Sequence, residues 1–290
     1  MKNNKVFDQV TERIIEGLEN AGKWSKPWGS IVSGNAPHNP TTGTAYTGIN
    51  WLVLNIEAER FSCNQWMTYK QAAAAGGNVK KGEKGTQIIF FKMLKKEDKK
   101  AGTTETFPML KTYTVFNFDQ CENVTREFPT YTPPVIPENG AKALADAIGA
   151  EVQYGGDTAC FIPSIDVIKM PPAEAFKTWE NHEATLLHEL THWTGHSDRL
   201  DRLKNGGFGS TTYAFEELVA ELGSAMAGSV LGVPYDGLQH EEYIASWLKA
   251  LKSDTKYIYQ AAKHASRAVN FILAELEQFG SDIVSITEAA

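Results

Sequence analysis

The sequence predicts an α+β protein of two domains: a small α+β domain, then a helix-rich domain with a small sheet. Three observations predict it. A proline-rich stretch divides the chain, the net charge changes sign across that stretch, and short strands give way to long helical patterns after it.

The dividing stretch is "EFPTYTPPVIPENG", Glu127–Gly140, with four prolines in fourteen residues. Proline fixes φ and has no N–H to donate, so the stretch is expected to be extended and poor in regular structure. The expected domains are therefore residues 1–128 and 140–290, joined by a linker at 129–139. A chain of 290 residues suits about two domains. Residues 1–128 carry 17 Lys+Arg against 13 Asp+Glu, a net of +4. The remainder carries 11 against 22, a net of −11. Opposite signs imply different partners. The basic half suits a polyanion, and the acidic half does not suit nucleic acid unaided.

In the first half, Val6, Val10, Ile14 and Leu18 stand four apart and predict a helix over Val6–Glu19, stopped by Gly22. Trp24–Pro40 is rich in Pro and Gly and reads as loop. Asn50–Arg60 reads as a helix. Thr68 and Gln71 form a capping box before "QAAAA", and Gly76–Gly77 ends that short helix. "TQIIFFKM" and "KTYTVFNF" are rich in β-branched and aromatic residues and are expected to pair across a lysine-rich hairpin loop. In the second half a short helix is expected near Lys142–Ile148. "EVQY" and "ACFIPSIDVIKM" read as strands, and helices follow at roughly 173–195, 212–231, 240–252 and 255–278.

Three cysteines, Cys63, Cys121 and Cys160, are widely spaced and form no C-x-x-C pair. That argues against a disulfide framework and against a cysteine zinc site, and favours a reducing cytoplasm. The opening "MKNNKVFDQV" lacks the apolar core of a secretory signal. No apolar run approaches the ~18 residues of a membrane span, so no membrane partner is expected.

The chemistry concentrates in "ATLLHELTHWTGHSDRL", Ala184–Leu200. His188-Glu189-Leu190-Thr191-His192 is H-E-x-x-H. Residues four apart share a helical face, so both imidazoles can reach one metal ion. Glu189 can then act as general base on a water held by the ion. This is the arrangement of a zinc hydrolase, with a third ligand from elsewhere and an open position for water. Zinc is the first choice of metal, with Mn2+ or Co2+ also accepted by such ligands. A five-letter motif recurs by chance. Here, however, it sits in a segment with helical apolar spacing and has good third ligands downstream.

Glu217-x-x-x-Glu221 lies in "AFEELVAELGSA" on an expected helix. This looks like the gluzincin pattern, in which one Glu binds zinc and an acid one turn later orients a ligating histidine; that likeness favours Glu217 as third ligand and Glu221 as the orienting acid, with the swapped roles as fallback. Asp198 stands at the position of a third ligand in H-E-x-x-H-x-x-G-x-x-D and is placed third. An ion pair of Asp198 with Arg199 or Arg202 is its structural alternative. His196 reads as a rim residue. An edge strand within "IPSIDVIKMPPAEAF" could pair with an extended substrate, and the prolines fit a plain loop equally well.

Eight of the seventeen basic residues of the first half fall between Lys80 and Lys100. "GGNVKKGEKGTQ" mixes glycines with lysines, so backbone and side chains could both approach phosphates. Aromatics stand near by in sequence, as a single-strand stacking site requires. Most aromatics, however, are core residues.

Together these residues identify a resemblance. "KWSKPW", "PHNPTTGTAYTGIN", "QWMTYKQAAAAGGNVKKGEKGT" and "YTVFNFDQ" resemble the N-terminal domain of the ArdC antirestriction proteins. "FIPSIDVIKMP", "LLHELTHWTGHSDRLDR" and "YAFEELVAELGSA" look like the zincin-type metallopeptidase domain of the same proteins. The resemblance covers most of residues 1–235, in the family's order. It implies a protein of conjugative plasmids and phages that works in the cytoplasm of the receiving bacterium. It implies single-stranded DNA binding by the first domain and protection of incoming DNA from host restriction. His188 and His192 carry over as ligands and Glu189 as base. For DNA the family implies a domain and not residues. Lys80, Lys81 and Lys84 are offered as phosphate contacts, and Trp28, Tyr46 and Trp66 as stacking rings. Two mechanisms remain open: a metallopeptidase acting on a host protein, or a non-catalytic single-stranded-DNA-binding protein whose metal site is structural or docks a partner.

Overall fold

A computed structural model describes residues 36–98, 103–128, 140–203, 210–233 and 241–279, with Asp8, Thr11, Glu12, Ile14, Ile15 and Glu19 of the N-terminal segment. Those six N-terminal residues are helical. The linker 129–139, most of the Trp24–Pro40 loop and Trp28 lie outside the described residues.

The first half is built on a three-stranded antiparallel sheet of order β1–β4–β3, from β1 (Trp66–Thr68), β3 (Thr86–Asp98) and β4 (Thr103–Asn117). The two lysine-flanked strands pair from Thr86–Val115 to Asp98–Thr103. Helix α1 (Gly48–Ala58) lies beside β3. The Asn50 side chain bonds both backbone groups of Ile89, donating to its carbonyl at 2.7 Å and accepting its N–H at 2.8 Å. Helix α2 (Tyr69–Ala74) starts at the expected capping box, with both reciprocal bonds between Thr68 and Gln71 in place. A second, two-stranded sheet pairs β2 (Asn78–Val79) with β5 (Cys121–Glu122).

The second half opens with α3 (Gly140–Ala147). A three-stranded mixed sheet of order β6–β8–β7 follows, from β6 (Glu151–Tyr154), β7 (Cys160–Ile162) and β8 (Val167–Met170). The stretch "ACFIPSIDVIKM", expected as strand, contains two antiparallel strands and a turn at residues 163–166. Pro163 cannot donate to a ladder, and Asp166 takes a positive φ of 53° to turn the chain. Four helices complete the domain: α4 (Trp179–Trp193), α5 (Thr211–Leu231), α6 (Glu241–Ser253) and α7 (Tyr257–Phe279). Helix α4 starts six residues later than the expected 173. Pro171 and Pro172 precede a short 3-10 turn at Ala173–Ala175, and the Thr178 side chain caps α4 by accepting from Asn181 N–H.

Helix α1 has apolar residues around nearly its whole circumference and buries both sides. Leu54 joins Trp66, Ile88 and Val115 in a small cluster under the first sheet. Ile49, Trp51, Leu52 and Val53 join the main core with residues of α4, α5 and α7. Trp51 Nε1 donates to Ser229 Oγ at 2.9 Å across this contact. So α1 belongs to the first half in sequence and to both cores in space.

The turn before β8 is tied to the end of α4. Arg199 pairs with Asp166 through Nη1 and Nη2, donates from Nε to Trp193 O at 2.6 Å and stacks 3.9 Å over the Trp193 ring. The hydrogen bond from Arg199 holds the Asp166 carboxyl below its ordinary range against partial burial. A depressed folded pKa adds stability above the unfolded value and loses it as pH falls through the folded one. Asp166→Asn is therefore expected to lower the melting temperature by a constant amount between about pH 5 and 7. That difference should shrink below about pH 4, where wild type loses the same pair. Melting curves across this range check it. The effect is small because Asp166 is 44% exposed.

Candidate metal centre

Helices α4 and α5 pack tightly, and their closeness assembles the site. A Cβ added at Gly223 of α5 would stand 2.5 Å from Thr191 Cγ2 and 2.6 Å from its Oγ1. Glycine is what this approach requires. Next to it, Ser224 Oγ donates to Ala184 O of α4 at 2.7 Å. The two helices thereby bring the H-E-x-x-H turns of α4 against the first turns of α5.

Three donors converge there. His188 Nε2 and His192 Nε2 are 3.1 Å apart. Glu217 places Oε2 at 3.4 Å from His188 Nε2 and Oε1 at 3.6 Å from His192 Nε2. Ligands about 2.0–2.2 Å from a tetrahedral ion stand about 3.4 Å from one another. The observed spacings therefore fit one ion, and the N2O donor set fits a divalent one. Among the described residues, His188, His192 and Glu217 form a cluster able to hold a metal ion.

Electrostatics agree. Burial disfavours a charged His192, but its hydrogen bond to Glu216 and the charges of Glu217, Glu216 and Glu189 outweigh burial and raise it to about 9. Burial pushes the Glu217 carboxyl up, but the hydrogen bond from His188 and the His192 charge pull it down to about 2. A knot of carboxylates that favours positive charge at His192 favours a bound cation for the same reason.

His192 is held from behind. Its Nδ1 lies 3.1 Å from Glu216 Oε1. An ionised carboxylate can only accept, so in the neutral imidazole that binds a metal the proton sits on Nδ1 and the Nε2 lone pair faces the cluster. Glu216 is fixed in turn by Arg202, whose Nε and Nη2 donate to it at 2.8–3.1 Å. Arg202 also donates to Thr191 O at 2.6 Å and Thr194 Oγ1 at 3.2 Å. The loop after α4 delivers Arg202: Arg202 N–H and Leu203 N–H both bond Gly195 O. A Cβ at Gly195 would stand 2.9 Å from Arg202 Nη2 and 3.0 Å from His192 O, which explains the glycine three residues after the second histidine.

The second half matches a family model described as zincin-like metallopeptidase over residues 139–264. The first matches the N-terminal domain of anti-restriction factor ArdC over residues 4–116. Crystal structures of the antirestriction ArdC protein from plasmid R388, metal-free and Mn(II)-bound, share 35% identity and a TM-score of 0.78. The alignment covers 94% of this chain and 98% and 99% of theirs. The chain belongs to the ArdC antirestriction family. A Sinorhizobium fredii protein, y4eC, is 34% identical over 93% of this chain and 92% of its own length. Two Escherichia coli proteins named DNA primase TraC are 39% and 37% identical over 92% and 94% of this chain. The chain spans 27% and 20% of their lengths.

In this ArdC-family chain, Glu189 is buried on the same helix as the two histidines. Burial and the Glu189 charge push the Cys160 thiol of β7 above its ordinary value, so Glu189 stands on the side toward that edge strand. Glu221 is fully buried one turn after Glu217. Asp198 is not brought to the cluster. Its side chain is 83% exposed and lies 3.8 Å from His196 Nδ1. Its alternative ion pairs also go elsewhere, Arg199 to Asp166 and Arg202 to Glu216. His196 sits edge-on to Phe161 at the rim.

The stacking rings offered for DNA need correction. Trp66 is fully buried in the small cluster, and its Nε1 donates to Asn64 Oδ1 at 2.7 Å. Tyr46 is half-buried, and its hydroxyl donates to Trp66 O at 3.2 Å. It belongs to a polar network in which Asn39 bonds Thr41 and Gln71. Asn39, Thr41 and Tyr46 thus serve as scaffold here, and aromatic type alone does not separate core from surface. Lys80, Lys81 and Lys84 are exposed between β2 and β3, with Lys80 Nζ donating to Asp119 O at 2.7 Å. No helix among the described residues is long and apolar enough to cross a membrane.

Proposed function

We propose that this chain binds single-stranded DNA through its first domain and carries a metallopeptidase-type site in its second, protecting incoming plasmid or phage DNA from host restriction. The observation that carries the enzymatic part is the convergence of His188, His192 and Glu217 on one point with Glu189 alongside. His188, His192 and Glu217 hold the ion. We take zinc as the first choice, with Mn2+ or Co2+ also accepted, as an Mn(II)-bound relative supports. When bound, the divalent ion supplies Lewis acidity that polarises a carbonyl and lowers the pKa of water, to about 7 for zinc. Glu189 takes the proton of the attacking water and returns it to the leaving amine. Glu216, locked by Arg202, fixes the tautomer and direction of His192. Glu221, fully buried one turn after Glu217 on α5, is assigned to the support of a ligating histidine. The strand within "IPSIDVIKMPPAEAF", β8, is the central one of its sheet and is not free to pair with a substrate, so the role of aligning an extended substrate passes to the outer edge of β7.

A structural site normally closes with four protein ligands. Asp198, which would have completed one, faces solvent, and this favours the open, catalytic reading. The test is DNA transfer into a restricting host expressing wild type or Glu189→Gln. A non-restricting host is the control, and expression and metal content are matched. Protection by wild type and loss of it in Glu189→Gln is expected. Equal protection by both would make hydrolysis dispensable and leave the binding-protein reading.

A further inference from the structure

Among the described residues, one face of the first domain's sheet is covered over only part of its length. Register pairs Thr86 with Val115, Ile88 with Tyr113 and Phe90 with Lys111. Directly opposed residues share a face. One face therefore runs from Val115 and Ile88 outward to Tyr113, Phe90 and Lys111. Leu54 and Trp66 cover the first two. The cover ends there. Tyr113 is 42% exposed, Phe90 is 46% exposed, and Lys111 is exposed. The two rings meet edge to face at 6.0 Å and 86°.

Cross-strand aromatic contact steadies a hairpin by about 0.2–1 kcal/mol and needs only that the rings touch each other. It does not account for two large rings left open on one sheet face beside a lysine. We propose that Phe90 and Tyr113 are a stacking platform for the bases of a single-stranded nucleic acid, with Lys111 on its backbone phosphate. This rests on the reading that the chain binds single-stranded DNA, and it adds the place and the means. Residues 86–117 carry six lysines against three acids, so the hairpin attracts a polyanion. A protein partner fits less well. Interface cores exclude lysine and need a larger apolar patch than two rings. Bases need only π-faces and a nearby cation. The platform also takes over the task that buried Trp66 and bonded Tyr46 cannot perform.

The test is fluorescence anisotropy of a labelled oligothymidylate titrated with the full chain at several salt concentrations. Phe90→Ala/Tyr113→Ala is expected to weaken binding by roughly 5- to 150-fold for each base unstacked, with the salt slope unchanged. Lys111→Ala is expected to lower the slope by about 0.7. Phe90→Tyr/Tyr113→Phe keeps both rings and should keep the affinity, which separates stacking from folding. Wild-type binding with the alanine pair within about two-fold of it would overturn the platform and leave the DNA reading intact. Loss of affinity in the ring-preserving pair would overturn it too. So would unchanged DNA binding with a smaller mass by light scattering, which would make the pair an interface between proteins. No binding by wild type would remove the DNA reading itself.

Discussion

Glu216→Ala is expected to unravel the support of the metal centre and to be among the most damaging single changes in the second domain. Arg202 is nearly buried, with 4% of its side chain exposed, and Glu216 is its carboxylate partner. Removing one member of a buried ion pair leaves the other charge unpaired, at a cost of about 3–5 kcal/mol. The same change takes the acceptor from His192 Nδ1. Loss of such a support costs roughly 10- to 100-fold in metal affinity. Glu216→Gln keeps the shape and one acceptor oxygen but not the charge, so it should fall between. Denaturant unfolding of the metal-free protein reads the first effect, and a metal titration reads the second. Wild-type values for both in Glu216→Ala would show that the Arg202–Glu216–His192 chain supports nothing.

Glu216 carries no sequence signal of its role. A carboxylate one turn from a ligand is a pattern, and Glu217 with Glu221 shows it. Glu216 bonds His192 directly and is held by Arg202, fourteen residues earlier in the chain, and only tertiary packing joins the three. The ligands themselves were legible because the i, i+4 spacing of a helix dictates that His188 and His192 share a face. Asp198 had the right spacing too. The backbone bonds from Leu200 to Thr194 and from Asp201 to His196 curl the loop back early and leave Asp198 outside. The same limit explains the aromatics. Trp66, Phe90 and Tyr113 are alike in β propensity, and only the position of α1 decides that the first is covered and the others are open. The doubly buried α1 was legible in principle, since "NWLVLNIEA" leaves almost no polar face. A helix without a polar face has to be covered on both sides.

Gly223→Ala should disturb the centre without touching a ligand. In an isolated helix the change would stabilise by about 1 kcal/mol. Here the new Cβ would lie 2.5 Å from Thr191 Cγ2, 2.6 Å from Oγ1 and 3.1 Å from Cβ. Thr191 is fully buried, and its hydroxyl is bonded to Leu187 O at 2.9 Å, so the side chain cannot swing aside freely. The helices must separate instead, and overpacking of this kind costs about 1–3 kcal/mol. Thr191 precedes His192, and Gly223 shares α5 with Glu217, so separation also pulls the donors apart. A net loss of stability and weaker metal binding are expected together. Thr191→Ala removes the obstructing atoms, so the double variant should regain much of what Gly223→Ala loses. A double-mutant cycle on unfolding and on metal affinity measures that coupling. Additive effects would mean that the glycine is not what sets the helix spacing. Rescue in both readouts would show that the distance between α4 and α5 is what makes three side chains one site.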